Sequence, residues 1–306
     1  MTGLRVEQHE TDYEDNNGVE GDPDKDLWGG RVALEYDLAD RHLLYASVSR
    51  GYRANGVNAS ILASMEAFDD PAIVEQLSRY QEFDEEHLYN YEIGFKGRFL
   101  QDTLQARLAL FYMDRDDQQV KGSLPFTRGD GSTGFIDYTA NAAEGENYGL
   151  ELEMDWLATQ RLTLYGNLGL LETEFDEYVY TNSSGESFDL SGRDQAHAPA
   201  YQYAVGGRFD IGRGFYLRMD VEGKDDFYFS DRHDTEASSY DLLHMRLGYS
   251  NDNWSVAVWG RNLTDEDYYV RGFGSFGNDP RKEYVVEPYY QYGEPRLVGV
   301  SASYTF

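Results

Sequence analysis

Residues able to do chemistry are plentiful in this 306-residue chain, but few are spaced for catalysis. Six histidines, His9, His42, His87, His197, His233 and His244, are scattered, and none has a second ligand at the spacing of a zinc helix. Cysteine is absent, which excludes disulfides and thiolate metal sites. Eight carboxylates crowd residues 10–26: Glu10, Asp12, Glu14, Asp15, Glu20, Asp22, Asp24 and Asp26. A calcium loop needs acids at alternate positions ahead of its glycine, yet counting back from Gly18 puts Tyr13 at the first ligand position. The stretch therefore reads as a solvated acidic loop. Gly129-Asp-Gly-Ser-Thr-Gly134 lacks the Gly-Lys-Ser/Thr ending of a phosphate loop and reads as a turn. No serine stands out beside a histidine, so the chain does not read as an enzyme, and nothing in it calls for a cofactor or a resident metal.

A binding role is better served. Aromatic rings stack on a ligand and Arg or Asn side chains orient its polar groups. The candidates are Arg50, Arg53, Asn55 and Asn58, then Tyr228 and Arg232, then Tyr268 and Arg271. Two other readings compete. The tyrosines fit an interfacial ring of aromatics as well as a ligand site, and arginines in so acidic a chain tend to pair with nearby carboxylates.

These residues sit at the ends of segments that alternate with period two, the mark of β-strands. In the last segment Val298, Val300, Ala302, Tyr304 and Phe306 share one face, and Gly299, Ser301, Ser303 and Thr305 the other. Gly30, Val32, Leu34, Tyr36 and Leu38 alternate with Arg31, Ala33, Glu35 and Asp37. Leu150, Leu152, Met154 and Trp156 alternate with Glu151, Glu153 and Asp155. Twelve such strands are expected, beginning with a short one over residues 3–9. The connections alternate in length. Short ones fall at 39–41, 100–103, 158–161, 212–214 and 250–253, and long ones at 54–86, 122–134, 177–198, 232–238 and 273–292. Inside residues 54–86, Asp70-Pro71 has the form of a helix start, with Ala72, Ile73, Leu77 and Tyr80 on one face.

Composition narrows the class. No window approaches the ~18 apolar residues of a spanning helix. A net charge of −30 argues against nucleic acid, whose phosphates require a basic face. The charged strand face carries both signs, which a wet or plugged lumen tolerates and a dry sandwich core does not. Short turns on one rim, long loops on the other and an apolar outward row together predict an all-β, antiparallel transmembrane barrel. Met1-Thr-Gly-Leu-Arg-Val-Glu7 already reads as strand and no secretion signal precedes it, so the chain is expected to be a piece of a longer protein.

Several motifs then resemble one family, the TonB-dependent outer-membrane receptors. They are Tyr45-Ala-Ser-Val-Ser-Arg-Gly-Tyr-Arg-Ala-Asn-Gly-Val-Asn58, Tyr91-Glu-Ile-Gly-Phe-Lys96, Phe111-Tyr-Met-Asp114, Asn262-Leu-Thr-Asp-Glu266 with Tyr268, and Pro295-Arg296 with the terminal Phe306. The resemblance implies a 22-stranded barrel with an N-terminal plug, of which residues 1–306 would be the C-terminal part. It implies energised uptake of a scarce ligand, foremost a ferric siderophore, with cobalamin, an oligosaccharide or another chelate as alternatives. A complete twelve-stranded pore is a further alternative. The implied partners are outer-membrane lipid and lipopolysaccharide, the TonB complex, and the barrel-assembly machinery that would read Tyr304 and Phe306. Glu92, Lys96, Glu151, Glu153, Arg218, Glu222, Arg31 and Arg208 would then face the plug.

Overall fold

The computed structural model describes residues 1–14, 20–65, 71–127, 133–181, 187–231, 234–276, 280–282 and 287–306. Twelve strands run along one antiparallel sheet in sequence order. They are β1 (Thr2–Glu10), β2 (Asp24–Ala39), β3 (His42–Arg53), β4 (Glu86–Phe99), β5 (Leu104–Thr127) and β6 (Thr133–Thr159). The second half comprises β7 (Leu162–Thr181), β8 (Tyr201–Gly212), β9 (Phe215–Lys224), β10 (Tyr240–Ser250), β11 (Trp254–Arg261) and β12 (Leu297–Tyr304). A thirteenth, Ser187–Asp189, pairs with the top of β7. β1 and β12 are the two free edges, so the sheet is open and gives no support to a closed twelve-stranded pore. No described helix is long and apolar enough to cross a membrane.

Register fixes which side chains share a face. Val32, Val48 and Tyr91 lie in one cross-strand row, and Leu34, Ala46 and Ile93 in the next. Leu34 is 74% exposed and Ile93 48% exposed, and Val258 and Val300 on β11 and β12 are as open. An apolar face left this bare is stable only against hydrocarbon. The opposite face is ionic. Arg107 pairs with Glu153 at 2.6 Å, Arg218 with Asp220 at 2.8 Å, and His244 with Glu222 at 3.2 Å. Arg31 donates to Ser47 at 3.3 Å, Lys96 lies over Tyr45 at 5.1 Å, and Arg208 over Tyr216 at 3.9 Å. Many of the charges expected to meet a plug thus already have partners on their own wall.

A repeated device smooths that inner wall. Tyr45, Tyr165, Tyr216 and Trp259 each stand directly opposite a glycine, respectively Gly94, Gly206, Gly248 and Gly299. Each ring lies flat across its glycine, so close that a Cβ there would sit under 3 Å from ring atoms. Such aromatic–glycine pairs cover backbone that would otherwise be bare and pin the register.

The two rims differ as expected, with details that do not. Turns such as Gly212-Arg213-Gly214 are tight, all three residues having left-handed φ angles of 111°, 55° and 86°. On the other rim the strands climb far. β5 and β6 have 24 and 27 residues, roughly 80–90 Å of chain, against about 30 Å of hydrocarbon. The long loop expected over 122–134 is therefore mostly hairpin, because Leu124, Ile136 and Tyr138 are buried and hold the strands together. The turn read at Gly129–Gly134 lies largely outside the described residues, as do residues 15–19 of the acidic loop. Residues 54–86 contain two helices where one was expected: α1 (Ala59–Met65) and α2 (Pro71–Ser78). Leu77 packs with Ile61 of α1 on that hairpin, and Tyr80 stacks on Tyr138 with centroids 4.1 Å apart. Nothing is described of the Ala72 and Ile73 side chains. Phe306 differs from its expected place too. The ladder ends at Trp254↔Tyr304, so Phe306 lies beyond the strand, fully exposed, its ring edge-on to Tyr304 at 5.1 Å.

Candidate functional site

The eight ligand candidates are not brought to one place. Arg50 follows Val48 on the outward face, opposite Gly30 and Tyr89, and so points away from the lumen. Arg53 is exposed at the top of β3, without an ion pair among the described residues. Asn55 is buried, and neither amide atom has a partner among the described residues. Asn58 is a structural latch. Its Nδ2 donates to the carbonyls of Tyr80 and Thr139 at 2.8 and 2.7 Å, and its Oδ1 accepts from the Thr139 amide at 2.8 Å. A side chain so engaged has little left for a ligand. Arg232 lies outside the described residues.

Tyr228, Tyr268 and Arg271 gather in the loops above β7–β11. Phe227 and Tyr228 pair with Ala237 and Glu236 in a two-residue hairpin, and Phe227, Phe229 and Ala237 form a small core against Tyr269. His197 joins it, its ring 5.5 Å from Phe227 and its amide bonded to the Tyr228 carbonyl at 2.9 Å. Burial, and then the nearby Lys224, push the His197 imidazole below its ordinary value. Tyr228 itself lies under the Arg193 guanidinium at 3.9 Å, and Arg193 also pairs with Asp234 at 2.6 Å. A hydrogen bond to Glu236 raises the Tyr228 phenol. Arg271 lies over Phe273 at 4.8 Å. Tyr268 is a packing residue, stacked on Tyr240 at 4.4 Å and laid across Gly293.

Beside this cluster is a cleft of about 160 Å³ whose lining includes Glu172, Asp194, Gln195, Asp225, Tyr228 and Glu236. Burial, and then a hydrogen bond shared with Asp226, raise the Asp225 carboxyl. Such a cleft offers acceptors and negative potential to ammonium, hydroxyl or cation-bearing groups. No group of three described His, Asp or Glu residues is arranged to hold a metal ion. Arg193, His197 and the cleft carboxylates were missed from the sequence. The available signal was the aromatic run Phe227-Tyr228-Phe229 beside acids on both sides.

The neck of the last long loop is a separate construction. Asn262 is 2% exposed, with φ of 46°. Its Nδ2 donates to the carbonyls of Glu266 and Glu294 at 2.8 and 3.0 Å, and its Oδ1 accepts from the Glu266 amide at 2.9 Å. Asp265 then pairs with Arg296 at 3.0 Å and Arg261 with Glu294 at 2.9 Å. The Asn262–Glu266 and Pro295-Arg296 motifs are thus two halves of one clasp.

A sheet of long antiparallel strands, apolar outside, ionic inside and looped unequally at its rims, is the wall of a transmembrane β-barrel. Residues 1–263 match the model of the family "TonB dependent receptor-like, beta-barrel", and the chain belongs to that family of Gram-negative outer-membrane proteins. It is 24% identical over 276 residues to the ferric-pyoverdine BN7/BN8 receptor of Pseudomonas putida, covering 90% of this chain and 28% of that protein. Its fold is similar to that of the ferric yersiniabactin uptake receptor FyuA of Yersinia pestis, with a TM-score of 0.69 at 21% identity, covering 94% of this chain and 39% of the other. The siderophore receptor PiuA of Acinetobacter baumannii gives a TM-score of 0.71 at 17% identity, covering 98% and 40%. The chain therefore spans less than half the length of each protein it resembles.

Proposed function

We propose that residues 1–306 are the C-terminal part of the barrel of a receptor that takes up a ferric siderophore across the outer membrane, driven by the TonB complex. The observation that carries this reading is the aromatic and basic cluster of Tyr228, Arg193 and Arg271 on the long-loop rim, in a chain whose relatives carry siderophore names. Rings and guanidinium planes suit a ligand that is part aromatic or amide, part oxygen donor. Arg53 and Asn55, above β3, are the remaining contacts we assign to that ligand.

The acidic cleft favours a second feature of the same reading. Net charge of −30 and the carboxylates beside Tyr228 repel a highly anionic chelate. The cargo is therefore a neutral or weakly charged chelate, or one carried with a divalent cation; another chelate, cobalamin or an oligosaccharide remains the alternative cargo. Binding of a panel of ferric siderophores to the receptor that contains this chain tests it, with and without a calcium and magnesium chelator. Tyr228→Ala and Arg271→Ala are each expected to weaken the best ligand roughly tenfold. Tight, chelator-insensitive binding of a polyanionic siderophore, unchanged in both variants, contradicts the proposal.

A further inference from the structure

The last long loop is dense in tyrosine and has no cysteine to close it covalently. Its hairpin pairs Tyr269–Phe276 with Glu287–Tyr292, and Tyr269 stands directly opposite Tyr292. Cross-strand partners of this kind hold their Cβ atoms about 5 Å apart, so the two side chains rise side by side. Their ring centroids are 4.8 Å apart at an interplanar angle of 45°, while their hydroxyl oxygens are 3.2 Å apart. The rings therefore converge toward their phenolic ends. That brings the carbons ortho to the two hydroxyls, the Cε atoms, toward the point of nearest approach.

The pair is held from one side and open from the other. Tyr269 packs on the buried Phe227, Phe229 and Ala237, and its ring also meets Tyr290 at 4.7 Å. Tyr292 is 61% exposed, so a small oxidant in solution reaches it. Next to it the Gly293 amide bonds the Tyr268 carbonyl at 2.8 Å, which fixes the backbone at the base of the hairpin. Tyr290 is as near by its ring, yet the hydroxyl that meets Tyr269 is that of Tyr292.

We propose that Tyr269 and Tyr292 form an oxidative staple, joined as dityrosine by one-electron oxidants such as the radicals formed where peroxide meets iron. Each phenol gives one electron to the oxidant and its proton to water. The two phenoxyl radicals form one bond between their Cε carbons, and each ring regains aromaticity by passing the hydrogen of that carbon to its oxygen. In total the pair loses two electrons and two protons, and two equivalents of oxidant are reduced. The new bond closes a covalent ring over residues 269–292. It holds by a bond the same loop that Asn262 holds by hydrogen bonds. Such a link takes freedom from the open loop, so opening becomes rarer. The staple does not depend on which cargo the receptor takes.

A brief pulse of light with ruthenium tris-bipyridyl and persulfate, a one-electron photo-oxidant, tests the staple in the purified receptor that contains this chain. Trypsin cuts after Arg261, Arg271, Lys282 and Arg296, which places the two tyrosines in separate peptides, 262–271 and 283–296. From wild-type monomer these peptides are expected joined, two hydrogens lighter than their sum, with fragmentation placing the link on Tyr269 and Tyr292. Tyr269→Phe and Tyr292→Phe keep both rings but remove one phenol, and each should lower the yield roughly tenfold or more. Tyr290→Phe should leave it unchanged. Oxidised Asn262→Ala receptor should exchange the amide hydrogens of the hairpin roughly tenfold more slowly than the same receptor before oxidation. Absence of the joined peptide, a link carried by Tyr268, Tyr289 or Tyr290, or a link that survives in both phenylalanine variants overturns the pairing. Hairpin exchange that the link leaves unchanged overturns its role as a staple.

Discussion

Asn262→Ala, in the receptor that contains this chain, is expected to release the loop between Asn262 and Arg296 while leaving the barrel wall standing. Three side-chain hydrogen bonds are lost from a residue that is 2% exposed. At about 1 kcal/mol each, with a further cost of order 1 kcal/mol for Ala at a left-handed φ, local closure weakens by roughly 3–4 kcal/mol. The two strands that form the loop's hairpin, Tyr269–Phe276 and Glu287–Tyr292, should then exchange their amide hydrogens more than a hundredfold faster. Ligand affinity should fall with them, because Arg271 and the packing of Tyr269 on Phe229 belong to that hairpin. Asp265→Asn, which weakens only the exposed Arg296 pair, should cost under about 1 kcal/mol. Unchanged exchange in Asn262→Ala would show that the clasp does not close the loop.

The second large effect is expected at the C-terminal residue, and it separates assembly from stability. Phe306 lies beyond the last ladder pair, fully exposed, with its ring T-shaped against Tyr304. Removing its ring takes almost nothing from the folded sheet, so Phe306→Ala receptor that does insert should melt and bind as the wild type. We propose that the ring, with Tyr304, is instead read by the barrel-assembly machinery before folding. Surface levels of Phe306→Ala are then expected to fall about tenfold or more, the price of losing one exposed anchor aromatic from a recognition interface. Tyr304→Ala should lower surface level and stability together, since Tyr304 stacks on Trp254 at 4.8 Å. Normal surface levels of the Phe306 variant would remove the recognition role.

The strands were legible because lipid and lumen demand opposite chemistry at every second residue, and twelve alternating segments emerged as twelve strands. Elements beyond the membrane obey no such rule. At 122–127 and 133–134 Gly122, Pro125 and Gly134 read as loop, whereas burial of Leu124, Ile136 and Tyr138 under α1 and α2 keeps the pair extended. Helix α1 was missed for a related reason. Asn58 is its N-cap position, its carbonyl accepting the Ile61 and Leu62 amides, but the same asparagine was read as a ligand contact. Arg50 was assigned to the ligand because it belongs to a motif at a strand end; the register puts it two residues beyond Val48 and so outside. Contacts such as Tyr228 with Arg193, 35 residues apart in the chain, are set by how separate loops fold together, which periodicity does not encode.

The ligand cluster is placed by one orientation: outward residues in lipid, long loops outside the cell and short turns in the periplasm. Single cysteines placed in the cysteine-free chain make that directly measurable with a membrane-impermeant maleimide on intact cells. Cysteines at Ser60, Ser191 and Arg281 are predicted to label, and cysteines at Asp40, Arg213 and Asp252 to label only after the outer membrane is opened. Labelling of Asp40, Arg213 and Asp252 on intact cells, with Ser60, Ser191 and Arg281 silent, would contradict the orientation and with it the placement of the ligand cluster.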